Sequence, residues 1–258
     1  MLQAKKSYGQ HFLKHEAIAA RIAGALQKAR DVGRVLEVGP GAGILTEALL
    51  ASGDYEVYAV EADADMVAHL RQKWPYFGER LIQQDFLALD LGGLFGGREF
   101  SLIGNFPYNI STQILFKMLD DRALIPEMVG MFQKEVADRI AAPPGSKTYG
   151  ITSVLLQAFY EAEYLFTVEP GSFNPPPKVR SAVIRLTRKP NFALECDEAL
   201  WRAIVKTAFN QRRKMLRNTL KPFFPNRDLM SDPWFERRPE TLGWQDFERL
   251  AAEAAERR

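Results

Sequence analysis

The chain has 258 residues, 47% of them hydrophobic and 26% charged, enough to bury one large core or two smaller ones, which excludes disorder as its organising state. A formal charge of +2 hides an uneven distribution: residues 1–30 carry six basic and one acidic side chain, residues 31–130 seven and fifteen, and residues 201–221 seven basic and none acidic. With a single cysteine, Cys196, an internal disulfide is excluded, and His11, His15 and His69 give no Cys/His metal spacing.

The first residues, MLQAKKSYGQHFL, lack the continuous apolar stretch of a signal peptide, and no run approaches the roughly 20 apolar residues of a membrane span. A cytoplasmic protein is expected, with Lys5, Lys6 and Ser7 as a basic arm. The first strand, Val35–Val38, runs into Gly39-Pro40-Gly41-Ala42-Gly43 and then a helix over Ile44–Ala51. Glycines in such a turn allow positive φ and bring backbone close to a ligand beside a helix N-terminus. The spacing is G-x-G-x-G with Ile at position 44, whereas a pyrophosphate fingerprint needs G-x-G-x-x-G, so the loop favours an adenosyl group over a dinucleotide.

A second strand, Glu56–Val60, ends at Glu61, placed to accept ribose hydroxyl protons, and a helix follows over Asp63–Trp74. The third strand, Arg80–Gln84, ends at Asp85, placed to bond the amine of an adenine. Either acid alone reads equally well as a helix cap; two at successive strand ends favour a ligand. The fourth strand, Phe100–Gly104, leads into Asn105-Phe106-Pro107-Tyr108. Pro107 holds Phe106 extended and fixes its carbonyl direction. With the Asn105 side-chain carbonyl, that gives two acceptors for the hydrogens of an exocyclic amine, and Tyr108 offers a stacking face. Such a set suits amine methylation; a buried aromatic turn explains the rings and leaves Asn105 without a reason.

Helices are expected over Ser111–Leu119, Lys134–Ala141 and Thr152–Tyr160, and strands over Met128–Phe132, Tyr164–Val168 and Ala182–Leu186. The last two strands flank a Pro-rich loop, Glu169–Lys178, and read as an antiparallel pair ending an otherwise parallel sheet. From Pro190 the strand pattern stops and helices punctuated by Pro222, Pro225, Pro233 and Pro239 remain. On one continuous helix, at roughly 100° per residue, Arg202, Lys206, Arg213 and Arg217 fall within about 60° and form a basic stripe.

The pairing of Glu37-Val38-Gly39-Pro40-Gly41-Ala42-Gly43 with Asn105-Phe106-Pro107-Tyr108 resembles the S-adenosylmethionine-dependent adenine-N6 methyltransferases. With Gln10-His11-Phe12-Leu13, Lys147-Thr148-Tyr149-Gly150, Phe173–Val179 and Ala208–Asn218 the chain is similar, over nearly its whole length, to the small-subunit ribosomal RNA adenine dimethyltransferases, the KsgA (RsmA) family of bacteria. The resemblance implies a Rossmann-like α/β domain with a mostly parallel seven-stranded sheet over residues 1–189, carrying the basic arm. A small helical RNA-binding domain would follow over 190–258. It implies dimethylation of two adjacent adenines in the loop of the 3′-terminal hairpin of 16S rRNA, in the immature 30S subunit, by a monomer using S-adenosylmethionine and no metal. It assigns cofactor contacts to His11, Leu13, Gly39, Gly41, Glu61, Asp85 and Asn105, and the reacting base to Asn105, Phe106, Pro107 and Tyr108, with Phe173 stacking opposite Tyr108. RNA contacts would come from Arg202, Lys206, Arg212, Arg213, Lys214 and Arg217. Three positions depart from the family pattern: His11 for the commoner Asn, Phe106 for Leu, and Arg180 where an acid is frequent. Methylation of large-subunit rRNA, a ribosome-assembly role without catalysis, and an NAD oxidoreductase are the competing readings.

Overall fold

The computed structural model describes residues 10–191, 193–224 and 232–256; Lys5, Lys6, Ser7 and Pro225 lie outside them. The elements in chain order begin with β1 (Phe12–Leu13), α1 (Glu16–Ala23), α2 (Ala29–Val32), β2 (Arg34–Val38), α3 (Ile44–Leu50), β3 (Glu56–Glu61) and α4 (Ala64–Lys73). Then come β4 (Leu81–Gln83), α5 (Leu91–Leu94), β5 (Ser101–Asn105), α6 (Ser111–Asp120), β6 (Glu127–Gln133), α7 (Lys134–Ala141) and α8 (Ile151–Gln157). The remainder are β7 (Tyr160–Val168), β8 (Phe173–Asn174), β9 (Ser181–Arg188), α9 (Glu198–Asn210), α10 (Leu216–Thr219) and α11 (Trp244–Ala255).

Seven strands form one sheet in the order β4-β3-β2-β5-β6-β9-β7. Strands β2 to β6 pair in parallel and β9 runs antiparallel to β6, with Gly130 opposite Ile184. Parallel strands crossed by helices are covered on both faces, which is why Val35, Leu36, Leu102, Ile103, Met128 and Val129 are all fully buried. The chain proceeds outward from β2 to β4, then returns to β5 on the other side of β2. The carboxyl ends of β2 and β5 therefore flank the topological switch point, where open α/β sheets leave a crevice. Strands β1 and β8 make a separate antiparallel pair, Leu13 opposite Phe173.

Three expectations are corrected. The helix expected to Tyr160 stops at Gln157, and β7 begins at Tyr160, because Tyr160 turns inward while Glu161 and Glu163 face out, a period of two that a helix cannot serve. The basic stripe does not form: α9 ends at Asn210, Gln211 leaves helical geometry at φ −126° and ψ 50°, and Arg217 lies on α10. The boundary expected near residue 190 is not single. The chain forms two compact units, Met1–Ala137 with Glu163–Arg188, and Asp138–Ala162 with Lys189–Arg258. Residues 138–162 belong to the second because their aromatics complete its core: Tyr149 packs on Phe209 and Phe159 lies edge-on to Trp201.

Candidate active site

The first unit holds a cavity of about 280 Å³ at the carboxyl ends of β2, β3, β4 and β5. Its glycine loop is shaped as its sequence requires: Gly39, Gly41 and Gly43 have φ of 70°, 54° and 85°, values that L side chains rarely adopt. Space is as restrictive as conformation. A Cβ at Gly43 would sit 2.7 Å from the Trp74 ring, and one at Gly41 would press the Phe12 ring at 3.0 Å. Gly39 N–H donates to the Val60 carbonyl (2.9 Å), fastening the loop to β3.

Glu61, at the end of β3, is 6% exposed. Its carboxylate accepts from the Gly41 N–H (3.1 Å) and the Asp63 N–H (2.9 Å). Burial pushes its pKa up and these two bonds pull it down. The side chain, also bonded by the Ala62 backbone, thus braces the glycine loop while lining the cavity. Asp85, exposed at the rim, accepts from the Leu87 N–H (2.9 Å) and caps the turn after it, so the cap and the cavity wall are the same residue. Glu37, in the middle of β2, also lines the cavity. It is 1% exposed, accepts from the Thr46 hydroxyl (2.6 Å), and burial pushes its pKa up to about 8.

The turn after β5 closes the cavity. Asn105 Nδ2 donates to the His11 carbonyl (3.0 Å), so the orientation of the amide is fixed and its Oδ1 is left as an acceptor. The Tyr108 hydroxyl bonds the Ser181 hydroxyl (2.5 Å), and its ring lies 5.3 Å from the His11 imidazole at 32°. Burial raises the Tyr108 pKa and the bond to Ser181 lowers it. The His11 side chain is engaged by the Pro175 carbonyl (Nδ1 to O, 2.8 Å). The Nδ1 and carbonyl of His11 are thus engaged by Pro175 and Asn105, while the residue lines the cavity.

The cavity brings together His11, Leu13, Gly39, Gly41, Glu61, Asp85, Asn105, Phe106, Pro107 and Tyr108. Phe173 is not among them. Its ring is 1% exposed and sits in the apolar core with Leu13, Val168 and Val183, so it has no free face for a base, and stacking opposite Tyr108 is corrected to packing. Gln10, Glu37, Ala62, Gln84 and Phe86 line the cavity without having been singled out. Two of them had a legible signal: Gln10 opens the Gln10–Leu13 motif, and Glu37 is an acid among Val35, Leu36 and Val38. The basic candidates lie on the second unit. Arg202 pairs with Glu198 (2.7 Å), Arg217 with Glu236 (3.0 Å), and Arg212 donates to the Lys147 and Ser146 carbonyls (2.7 and 3.0 Å). Lys206, Arg213 and Lys214 are exposed. Arg180 is exposed, and its carbonyl accepts from the Lys134 N–H (2.9 Å).

The sequence model of the ribosomal RNA adenine dimethylases matches residues 1–232. A Bacteroides fragilis protein named ribosomal RNA small subunit methyltransferase A is 53% identical over 248 residues, covering 96% of this chain and 90% of its own. A protein of the same name from Bacteroides thetaiotaomicron is 51% identical over 257 residues, covering 99% and 96%. Among solved structures, a dimethyladenosine transferase from Plasmodium falciparum superposes with a TM-score of 0.75 at 26% identity, covering 95% of this chain and 98% of that one. The 23S rRNA methyltransferase ErmE does so at 0.68 and 25%, covering 93% and 99%. By these matches and by the glycine loop and Asn-Phe-Pro-Tyr turn at one crevice, the chain is an rRNA methyltransferase and belongs to the ribosomal RNA adenine dimethylase family.

Proposed function

We propose that this chain transfers methyl groups from S-adenosylmethionine to the N6 amines of two adjacent adenines in the loop of the 3′-terminal hairpin of 16S rRNA, acting as a cytoplasmic monomer on immature 30S subunits. The observation that carries the reading is the placement of the glycine loop and the Asn105–Tyr108 turn on the neighbouring strands β2 and β5.

The residues present fit the cofactor. The loop at Gly41 has room for backbone contact and none for a side chain. Glu61 retains acceptor capacity toward ribose hydroxyls, and Asp85 stands at the rim for an adenine amine. When bound, the cofactor supplies an electrophilic methyl on a sulfonium. Asn105 Oδ1 and the Phe106 carbonyl would each accept one N6 hydrogen of the target base, aiming the nitrogen lone pair into the cavity. Tyr108, pinned by Ser181, holds the base plane. No general base is required, since the methylated amine is cationic and its proton is acidic enough to pass to water. The small subunit is favoured as substrate by the names of relatives above 50% identity.

The test is incubation with methyl-labelled cofactor and 30S subunits lacking these modifications, read by mass spectrometry of the 3′ hairpin. Dimethyladenosine at both positions is expected, and Asn105→Ala should lower kcat by about 100-fold or more, the loss typical of removing one group that acts on developing charge. Label appearing in large subunits alone, or none in either, overturns the proposal.

A further inference from the structure

Two glycines face each other across strands β5 and β6, Gly104 opposite Gly130. Neither has positive φ, so backbone conformation does not demand them, and glycine inside a strand gives up cross-strand packing. What demands them is space. A Cβ at Gly104 would lie 2.7 Å from Phe106 Cε1 and 2.7 Å from the Val38 carbonyl oxygen. A Cβ at Gly130 would overlap Phe106 Cε2 and lie 2.6 Å from Phe132 Cε2. The Phe106 ring, 1% exposed, therefore occupies the volume that side chains on β5 and β6 would fill, against Phe132 at a centroid distance of 5.1 Å and 53°.

This slot sits under the reactive turn. The Phe106 N–H donates to the Met131 carbonyl (3.2 Å), so backbone and ring fasten the same residue to β6 from two directions. The backbone carbonyl of Phe106 is the acceptor assigned above to the target amine; Pro107 restricts rotation about the Phe106 Cα–C bond, so the carbonyl follows the Cα that ring and N–H anchor. We infer that Gly130 is a positioning residue for methyl transfer: the missing side chain sets the depth of the Phe106 ring and, through it, the direction of the Phe106 carbonyl. The inference rests on the reading of the Asn105–Tyr108 turn given under Proposed function. Gly130 lies outside the cavity lining, so its effect on the cofactor is distinguishable from its effect on the reacting base.

The experiment compares one added methyl in two backgrounds. In the wild-type chain, Gly130→Ala should lower kcat by about 10- to 100-fold, the scale of an ångström-sized displacement of a reacting group, with cofactor affinity by calorimetry kept within about twofold. In a Phe106→Leu, Phe132→Leu background, where the slot has been emptied, the same Gly130→Ala change should raise kcat by about threefold or more. The reversal of sign separates positioning from general damage, and the leucine background decides the matter if the single variant gives no cooperative melt. Wild-type kcat in Gly130→Ala, or a methyl that lowers or leaves kcat in the leucine background, overturns the inference. Asn105→Ala serves as the control for the underlying reading. Activity surviving in Asn105→Ala sinks the role of the turn, whereas Asn105→Ala inactive beside a fully active Gly130→Ala sinks only the role of Gly130.

Discussion

Glu37 illustrates how one buried side chain couples the site to pH. Its carboxyl sits in β2 with 1% exposure, held by the Thr46 hydroxyl at 2.6 Å. Burial outweighs that bond and, with the nearby charge of Glu61, pushes its pKa from 4.5 to about 8. The folded chain therefore keeps a proton between those values that the unfolded chain has released. The associated stability is full below pH 4.5 and is lost as pH rises through about 8. Glu37→Gln cannot ionise and still accepts from Thr46. Thermal melts across pH 5–8 should show a flatter profile for the variant and a gain over wild type at pH 8 on the order of a few kcal/mol; parallel profiles would show that Glu37 is already charged in the fold. The same residue shows where sequence reading falls short. An acid among Val35, Leu36 and Val38 marks an anomaly, but only the tertiary partner Thr46 says how it is tolerated.

At the scale of elements, the loop 143–149 hangs on Arg212, whose guanidinium donates to the carbonyls of Lys147 and Ser146 while Gly145 N–H donates to the Glu240 carbonyl (2.6 Å). Arg212→Ala hands two carbonyls back to water, at a cost of about 1 kcal/mol. Faster hydrogen exchange and proteolysis confined to residues 143–149 are expected, with Arg212→Lys intermediate; unchanged exchange there would count against the anchoring role. The bonds of Arg212 to this loop were not legible, because a charge run carries no sign of which members have partners within the chain. The main strands were legible for the opposite reason. Met128–Phe132 is apolar on both faces, and Val35–Val38 is so apart from Glu37 and ends at Gly39, patterns that need no tertiary information. The two-residue strands β1 and β8 have no periodicity to read, and α1 (EAIAARIA) is too short to separate from a loop. The glycine loop and the Asn-Phe-Pro-Tyr turn were legible because their chemistry is local. Phe173 was not, since an aromatic beside prolines packs or stacks according to what its strand partner Leu13 does.

For the molecule as a whole, near-neutrality joins an acidic body to basic segments, and the exposed cations of residues 201–221 are fewer than seven basic residues imply. Arg202 and Arg217 are paired with acids and Arg212 with carbonyls, leaving Lys206, Arg213 and Lys214 among the exposed ones. Binding to rRNA should weaken with salt along a slope of log affinity against log salt of about −2 to −3, at roughly 0.7–0.9 per phosphate contact. Fluorescence anisotropy over a salt series checks this, and Arg213→Gln should make the slope shallower by about one. A salt-independent affinity would remove this segment from the interface. Among the described residues no helix is long and apolar enough to cross a membrane.

The order of the sheet carries a consequence for how such a chain is made. Strand β9 is the last of the seven to be synthesised, yet it lies between β6 and β7. A nascent chain leaving the ribosomal tunnel must therefore hold a ready slot beside β6 until Ser181–Arg188 arrives, with the edge of β6 away from β5 unpaired in the meantime. Any message broken before codon 181 yields a product with that edge permanently open, and open edges recruit other strands. An rRNA methyltransferase thus depends on the ribosome finishing one particular strand before its own sheet can close.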